Sequence, residues 1–215
     1  MGSSGAPMGA ASARRRQAGG TPRAALADLL AGNRRFLSGQ PIHGHDVTAA
    51  AAAASGDQQP YAVVLGCIDS RVPLEAIFDQ TFGAICVIRT GGHVLDSAVR
   101  GSIEYVVGQL GVPLVLVLGH ERCGAVAATV DALRAGARPA GSLAHLVDEI
   151  APAVLEVGLT DPAVLASAIR QHVRRTVAAL RVDDLLAGPV DAGRVAVVGG
   201  LYDLATGEVA VIEPG

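Results

Sequence analysis

Four short, nearly continuous apolar runs decide what this chain can fold into: Tyr61–Gly66, Ala84–Ile88, Pro113–Gly119 and Arg194–Gly199. Strands that are apolar at almost every position are covered on both faces, which is the situation of strands in a parallel sheet. Helical patterns stand between them at Pro73–Asp79, Asp96–Leu110 and Gly124–Ala135, with a longer polar–apolar stretch across Asp161–Leu186. Strands alternating with helices imply right-handed βαβ crossovers. Val209–Ile212 follows the tight turn Asp203–Glu208 and is placed to pair antiparallel at an edge. The expected fold is α/β: a central, mostly parallel sheet of four parallel strands plus one antiparallel edge strand, flanked by helices.

Ahead of the sheet, Ala25, Leu26, Leu29, Leu30 and Phe36 mark one face of a helical arm from Pro22 to about Leu37. Thr21 suits its N-cap and Pro22 its first helical position. Gln40–Asp46 reads as a loop, and the Ala-rich Val47–Ser55 as a short helix, because Ala costs least to make helical. Residues 1–20 are rich in Gly, Ser and Ala and are expected to be a disordered tail. Their run Arg14–Arg16 is not followed by the apolar core of about 7–15 residues that a signal peptide needs. Residues 21–215 are read as a single domain.

Composition narrows the class of function. Half of the 215 residues are hydrophobic and only 17% are charged, so the chain has ample material for a packed core. No apolar stretch approaches the ~20 residues that span a bilayer. A net charge of −3 offers no electrostatic footprint for nucleic acid. Three Cys are too few and too odd for a disulfide framework. A reducing cytoplasm, with the thiols free for metal or catalysis, is the expected setting.

Two of the strand runs end in reactive residues. The first continues into Cys67-Ile68-Asp69-Ser70-Arg71, and the third into His120-Glu121-Arg122-Cys123-Gly124. In open parallel sheets, ligands bind beyond the carboxyl ends of the strands, where both segments fall. Cys67, His120 and Cys123 would supply two thiolates and an imidazole, a set that binds catalytic zinc while leaving a fourth position open. Any one Cys is more often a small buried core residue; three candidate ligands at matching strand ends favour a metal. Asp69 and Arg71 share one side of an extended segment, so a carboxylate–guanidinium pair beside the metal is natural. A purely structural ion pair is the plainer alternative, and the Cys two residues upstream tips the balance.

These segments resemble the Cys-x-Asp-x-Arg and His-x-x-Cys signature of the β-class carbonic anhydrases. The resemblance runs through Pro73, Glu75, Ile77 and Phe78, then Val87–His93, Ser102–Tyr105 and Gly200–Asp203, and includes Asn33–Phe36. It covers about residues 22–213 and is closest to actinobacterial members. It implies a zinc lyase that reversibly hydrates carbon dioxide to bicarbonate and a proton. Cys67, His120 and Cys123 would bind Zn2+, and Asp69 with Arg71 would gate and orient the zinc-bound hydroxide. The Gly124 amide, at a helix start, would hold the Asp69 carboxylate. Gln58 and Tyr105 match substrate-pocket positions, and Cys86 falls where the family pocket usually has Phe. The family assembles as homodimers or dimers of dimers, with pockets lined partly by the partner chain. Some members carry a bicarbonate switch made from Trp, Arg and Tyr; Arg89 and Tyr202 match two of its positions, but the chain has no Trp.

Other residues have blander readings. His43 and His45 form a His-x-His in a loop, read as solvated. His93 is apolar-flanked and near the pocket, with a structural or interface use favoured over proton relay. His145 and His172 fall on helical patterns and are expected at the surface, as is Arg174-Arg175. Glu121 and Arg122 are expected to face solvent or a partner subunit. Three competing functions remain: a carbonyl sulfide or carbon disulfide hydrolase using the same site, a non-catalytic zinc or bicarbonate sensor, and a redox protein. The last lacks a Cys-x-x-Cys motif.

Overall fold

A computed structural model describes residues 20–43, 46–54 and 56–215. The expected tail lies outside the described residues apart from Gly20, as do His45 and Ser55. The chain opens with α1 (Pro22–Leu37), whose first turn is capped by the Thr21 hydroxyl accepting from the Ala24 amide. After α2 (Val47–Ala54) come β1 (Ala62–Cys67), the single turn α3 (Leu74–Ile77), β2 (Ile85–Thr90) and a 3-10 turn at Gly91–His93. Then follow α4 (Ser97–Leu110), β3 (Leu114–His120), α5 (Gly124–Arg134), α6 (Leu143–Val157), α7 (Val164–Arg181) and α8 (Ala187–Asp191). Strands β4 (Ala196–Tyr202) and β5 (Val209–Glu213) complete the described chain.

The five strands form one sheet in the order β2-β1-β3-β4-β5. Neighbours from β2 to β4 are parallel, and β5 pairs antiparallel with β4 at the edge. The expected fold class is therefore the observed one. Helices cover both faces, as uniformly apolar strands require. On one side α1 and α3 bring Leu29, Leu74, Ile77 and Phe78 against Val64 and Leu116. On the other, α4 and α7 set Ile103, Val173 and Val177 against Val63, Leu65 and Val117. Each such side chain contributes roughly 1.5–3 kcal/mol when withdrawn from water.

The strands run further than their apolar runs suggest. β4 continues through Gly199 and Gly200 to Tyr202, although paired glycines ordinarily end a strand. Here the missing side chain is what allows the packing: a Cβ on Gly199 would lie 2.8 Å from Val173 Cγ1 and 2.9 Å from Glu213 Cβ. Helix α6 has no counterpart among the expected elements. Pro152 in its interior reads as a break, yet Ala144, Val147, Ile150 and Val154 make an apolar stripe that buries against α5 and α7. The long stretch at 161–186 resolves into α7 alone, with α8 after it.

His172 corrects a sequence expectation: it is buried, not on the surface. It falls on the same α7 stripe as Ile169, Val173, Thr176 and Leu180, whereas Arg170, Arg174 and Arg175 take the outer face. His145 and Arg174-Arg175 are exposed as expected. His43 is half-buried, with its amide donating to Asp79 Oδ1 at 3.1 Å. Asp79 also accepts from the Ile42 amide and from Arg35 Nε, fastening the loop after α1.

Candidate metal centre

Parallel pairing brings the carboxyl ends of neighbouring strands side by side, and β1 and β3 are neighbours. Cys67 is the last residue of β1 and His120 the last of β3. The chain then turns through Arg122, whose φ of 53° is left-handed, and delivers Cys123 to the N-cap of α5. Cys67, His120 and Cys123 are all buried, and their ligand atoms lie within 4.8 Å of one another. The two sulfurs are 3.9 Å apart.

The polar atoms of this cluster are oriented for an ion. His120 Nδ1 lies 2.8 Å from the Glu121 carbonyl, an acceptor only, so Nδ1 carries the proton and Nε2 offers a lone pair. That Nε2 is buried and has no hydrogen-bond partner. Buried polar atoms without partners cost ~1–3 kcal/mol each, so an unpaired acceptor aimed at two thiols is the signature of a metal position. Two sulfurs and one imidazole fit zinc and leave a fourth position open. The Gly92 amide donates to Cys67 Sγ at 3.3 Å. Donation from Cys123 and from the Gly92 amide draws Cys67 toward thiolate, while the same contact with Cys67 and burial push the Cys123 thiol up.

Asp69 and Arg71 form the expected ion pair beside this cluster. Arg71 Nε donates to Asp69 Oδ1 at 2.9 Å and its terminal nitrogen to Oδ2 at 2.7 Å, in a two-point fork. The Arg71 amide adds a third bond, and this neighbour holds the Asp69 carboxyl well below the usual carboxylate range. Asp69 Oδ2 stands 4.0 Å from His120 Nε2, at the edge of the metal position. Arg89 braces the same loop from β2, donating to the Cys67 carbonyl at 2.9 Å and the Asp69 carbonyl at 2.6 Å.

The remaining candidates are not drawn into this cluster. The hydrogen bonds of the Asp69 carboxylate run to Arg71 and not to the Gly124 amide, a correction to the expected contact. Gln58 is exposed ahead of β1, and Tyr105 is 54% exposed on α4. Cys86 sits mid-strand in β2, opposite Val63, and packs toward the α4 side; burial pushes its thiol up. Tyr202 is the buried strand-pair neighbour of His120. His93 is buried with neither ring nitrogen partnered, its ring 4.4 Å from that of His172. Gly92 and His172 were not anticipated as part of the site; Gly91-Gly92-His93 directly after a strand was the one available signal.

Fold and site together define an α/β protein with a buried Cys2His group that could hold a metal ion, at the carboxyl ends of parallel strands. A carbonic anhydrase family model matches residues 62–209. The chain is 45% identical over 192 residues to a carbonic anhydrase of Mycolicibacterium smegmatis, covering 87% of this chain and 92% of that protein. It is 43% identical to carbonic anhydrase 2 of Mycobacterium tuberculosis over 192 residues, covering 88% and 92%. Among solved structures, a tetrameric β-carbonic anhydrase of Sordaria macrospora has the same fold, with a TM-score of 0.68, 22% identity, and coverage of 76% of this chain and 85% of that one. A Coccomyxa β-carbonic anhydrase bound to acetazolamide has a TM-score of 0.67 at 24% identity, covering 87% and 86%. The chain belongs to the β-carbonic anhydrase family.

Proposed function

We propose that this chain hydrates carbon dioxide reversibly to bicarbonate and a proton, at a zinc ion held by Cys67, His120 and Cys123. The observation that carries the reading is the unpartnered, buried His120 Nε2 facing two thiols beside the Asp69–Arg71 pair. Zinc, when bound, supplies Lewis acidity that lowers the pKa of water from 15.7 toward ~7. Asp69 Oδ2, beside the metal position, would accept a hydrogen bond from the attacking water and so orient its lone pair. Arg71 keeps that carboxylate ionised and turned aside, so that it accepts a hydrogen bond without occupying the open position.

The pocket residues rest on the family resemblance. Gln58, Tyr105 and Cys86 are assigned to the substrate wall, and the Gly124 amide to a polar corner of it. The exposure of Gln58 and Tyr105 suits a wall completed by a second copy of the chain. Helix α2 is apolar along its length with no buried residue, and Val47 and Ile68 are strongly exposed, so a homo-oligomeric partner, in a dimer or a dimer of dimers, is assigned to cover them. Residues 21–215 are taken as one domain working in a reducing cytoplasm. Stopped-flow hydration on zinc-loaded protein tests the reading. Wild type should far outrun Cys67→Ala and bind one zinc per chain, and equal rates would overturn it. Turnover of carbonyl sulfide measured alongside separates the hydrolase alternative.

A further inference from the structure

Behind the ligands lies a turn whose conformation is held from the far side of the molecule. Gly92 has a left-handed backbone, φ 64° and ψ 29°. Its amide donates to Cys67 Sγ, and its carbonyl accepts from His172 Nε2 at 2.9 Å. His172 comes from α7 and is 4% exposed. A Cβ on Gly92 would lie 3.0 Å from Ile150 Cδ1 and 3.2 Å from Ala125 Cβ, so α5 and α6 close the same turn. Two hydrogen bonds thus flank one Cα, one reaching a metal ligand and the other a buried ring. The carbonyl can only accept, so Nε2 carries the proton of His172.

We propose that His172 is a positioning residue for the metal centre: its hydrogen bond holds Gly92 in the left-handed conformation that aims an amide at the Cys67 sulfur. The inference rests on the zinc reading above. An N–H bonded to a coordinating thiolate draws charge from the sulfur, leaving the metal a stronger Lewis acid, and partners of ligands tune a metal in this way. A histidine that merely filled the core would be replaceable by any apolar group of similar volume. A histidine that positions Gly92 is replaceable only by another donor with the same reach.

Cobalt(II)-substituted protein separates the two. His172→Gln places an amide N–H near the position of Nε2, whereas His172→Phe keeps the ring volume without the donor. The Gln variant should retain the wild-type thiolate-to-cobalt absorption energy. In the Phe variant the band should move to longer wavelength, and metal affinity should fall by roughly 10-fold or more. A folded Phe variant with an unmoved band and unchanged affinity overturns the proposal. Cadmium-113-loaded wild type gives a reading that needs no variant: the Gly92 amide proton must be exchange-protected and coupled to the metal through sulfur. A freely exchanging Gly92 amide also overturns it. Wild type that shows no thiolate band with cobalt refutes the metal reading itself, so the two failures are distinguishable.

Discussion

Asn33→Ala sets local preference against tertiary bonding and lets one measurement decide between them. Asn33 lies inside α1, where Ala is the better helix former by up to about 0.7 kcal/mol. Propensity alone therefore predicts a slightly more stable protein. The structure predicts the reverse. Asn33 is 3% exposed, and its side chain bonds three backbone groups from distant segments. Its Nδ2 donates to the Ile77 carbonyl at 3.2 Å and the Gly207 carbonyl at 2.9 Å, and its Oδ1 accepts from the Val209 amide at 3.0 Å. Truncation leaves the buried Val209 N–H without an acceptor, at ~1–3 kcal/mol, and removes one bond from each carbonyl at a smaller cost. After the helix gain is subtracted, the net loss is about 2–4 kcal/mol. For a chain of this length that lowers the melting temperature by roughly 5–15 °C. The assay is thermal and urea unfolding of zinc-loaded protein at fixed zinc and protein concentration, since both shift apparent stability. An Ala variant that melts at or above wild type would refute the claim that Asn33 ties α1 to α3 and β5.

Gly32→Ala should likewise destabilise against its propensity: the new Cβ would sit 1.7 Å from the Phe78 carbonyl oxygen, so α1 must move, at about 1–3 kcal/mol or more, read by the same melts. Stripping zinc with a chelator should lower the melting temperature, by the equivalent of ~2.7 kcal/mol if the free metal had stood at 100 times its Kd. Arg71→Gln should keep one zinc per chain yet lose ~10-fold or more in stopped-flow turnover, because Asp69 loses its fork; Cys67→Ala should lose the zinc. Burial lowers the His172 pKa to about 4, so the unfolded chain binds the extra proton first and stability falls as pH drops from ~6.5 toward 4. The neighbouring buried His93 acts in the same direction, and Arg175 adds to the lowering at His172. His172→Gln should flatten that acid slope in pH-dependent urea titrations, and an unchanged slope would refute the assignment.

The parts of this molecule legible in the sequence are those written in contiguous residues. Uniformly apolar runs announced β1 to β4 because both faces of each strand are covered, and Cys67, His120 and Cys123 were legible because they sit at or just past the ends of such runs. What escaped depends on which segment lies opposite. Helix α6, with Pro152 inside it, goes unread, and only the cover of α5 and α7 on its apolar stripe shows why it is helical. His172 reads as a surface residue until Gly92 is found facing it. Gly199 reads as a strand end, and only the approach of Val173 on α7 and Glu213 on β5 explains why a strand needs it.

That division has a physical origin in the parallel sheet itself. Side-by-side strands pointing the same way must end side by side, so ligands placed last in β1 and β3 meet with little further instruction. The groups that tune those ligands cannot come from the same strands, whose amides and carbonyls are committed to the ladder. They arrive from a neighbouring strand's side chain, Arg89 of β2, and from the turn and helix packed on the carboxyl end: Gly92 after β2 and His172 from α7. The placing of Gly92 and His172 is set by the packing of α5, α6 and α7 around that turn, of which the chain's only local mark is Gly91-Gly92-His93. A change of apolar residue at Ile150, whose Cδ1 lies against the Gly92 turn, should therefore alter cobalt absorption, whereas an equal change at Ile103 under α4, in a cluster without ligands, should alter stability alone.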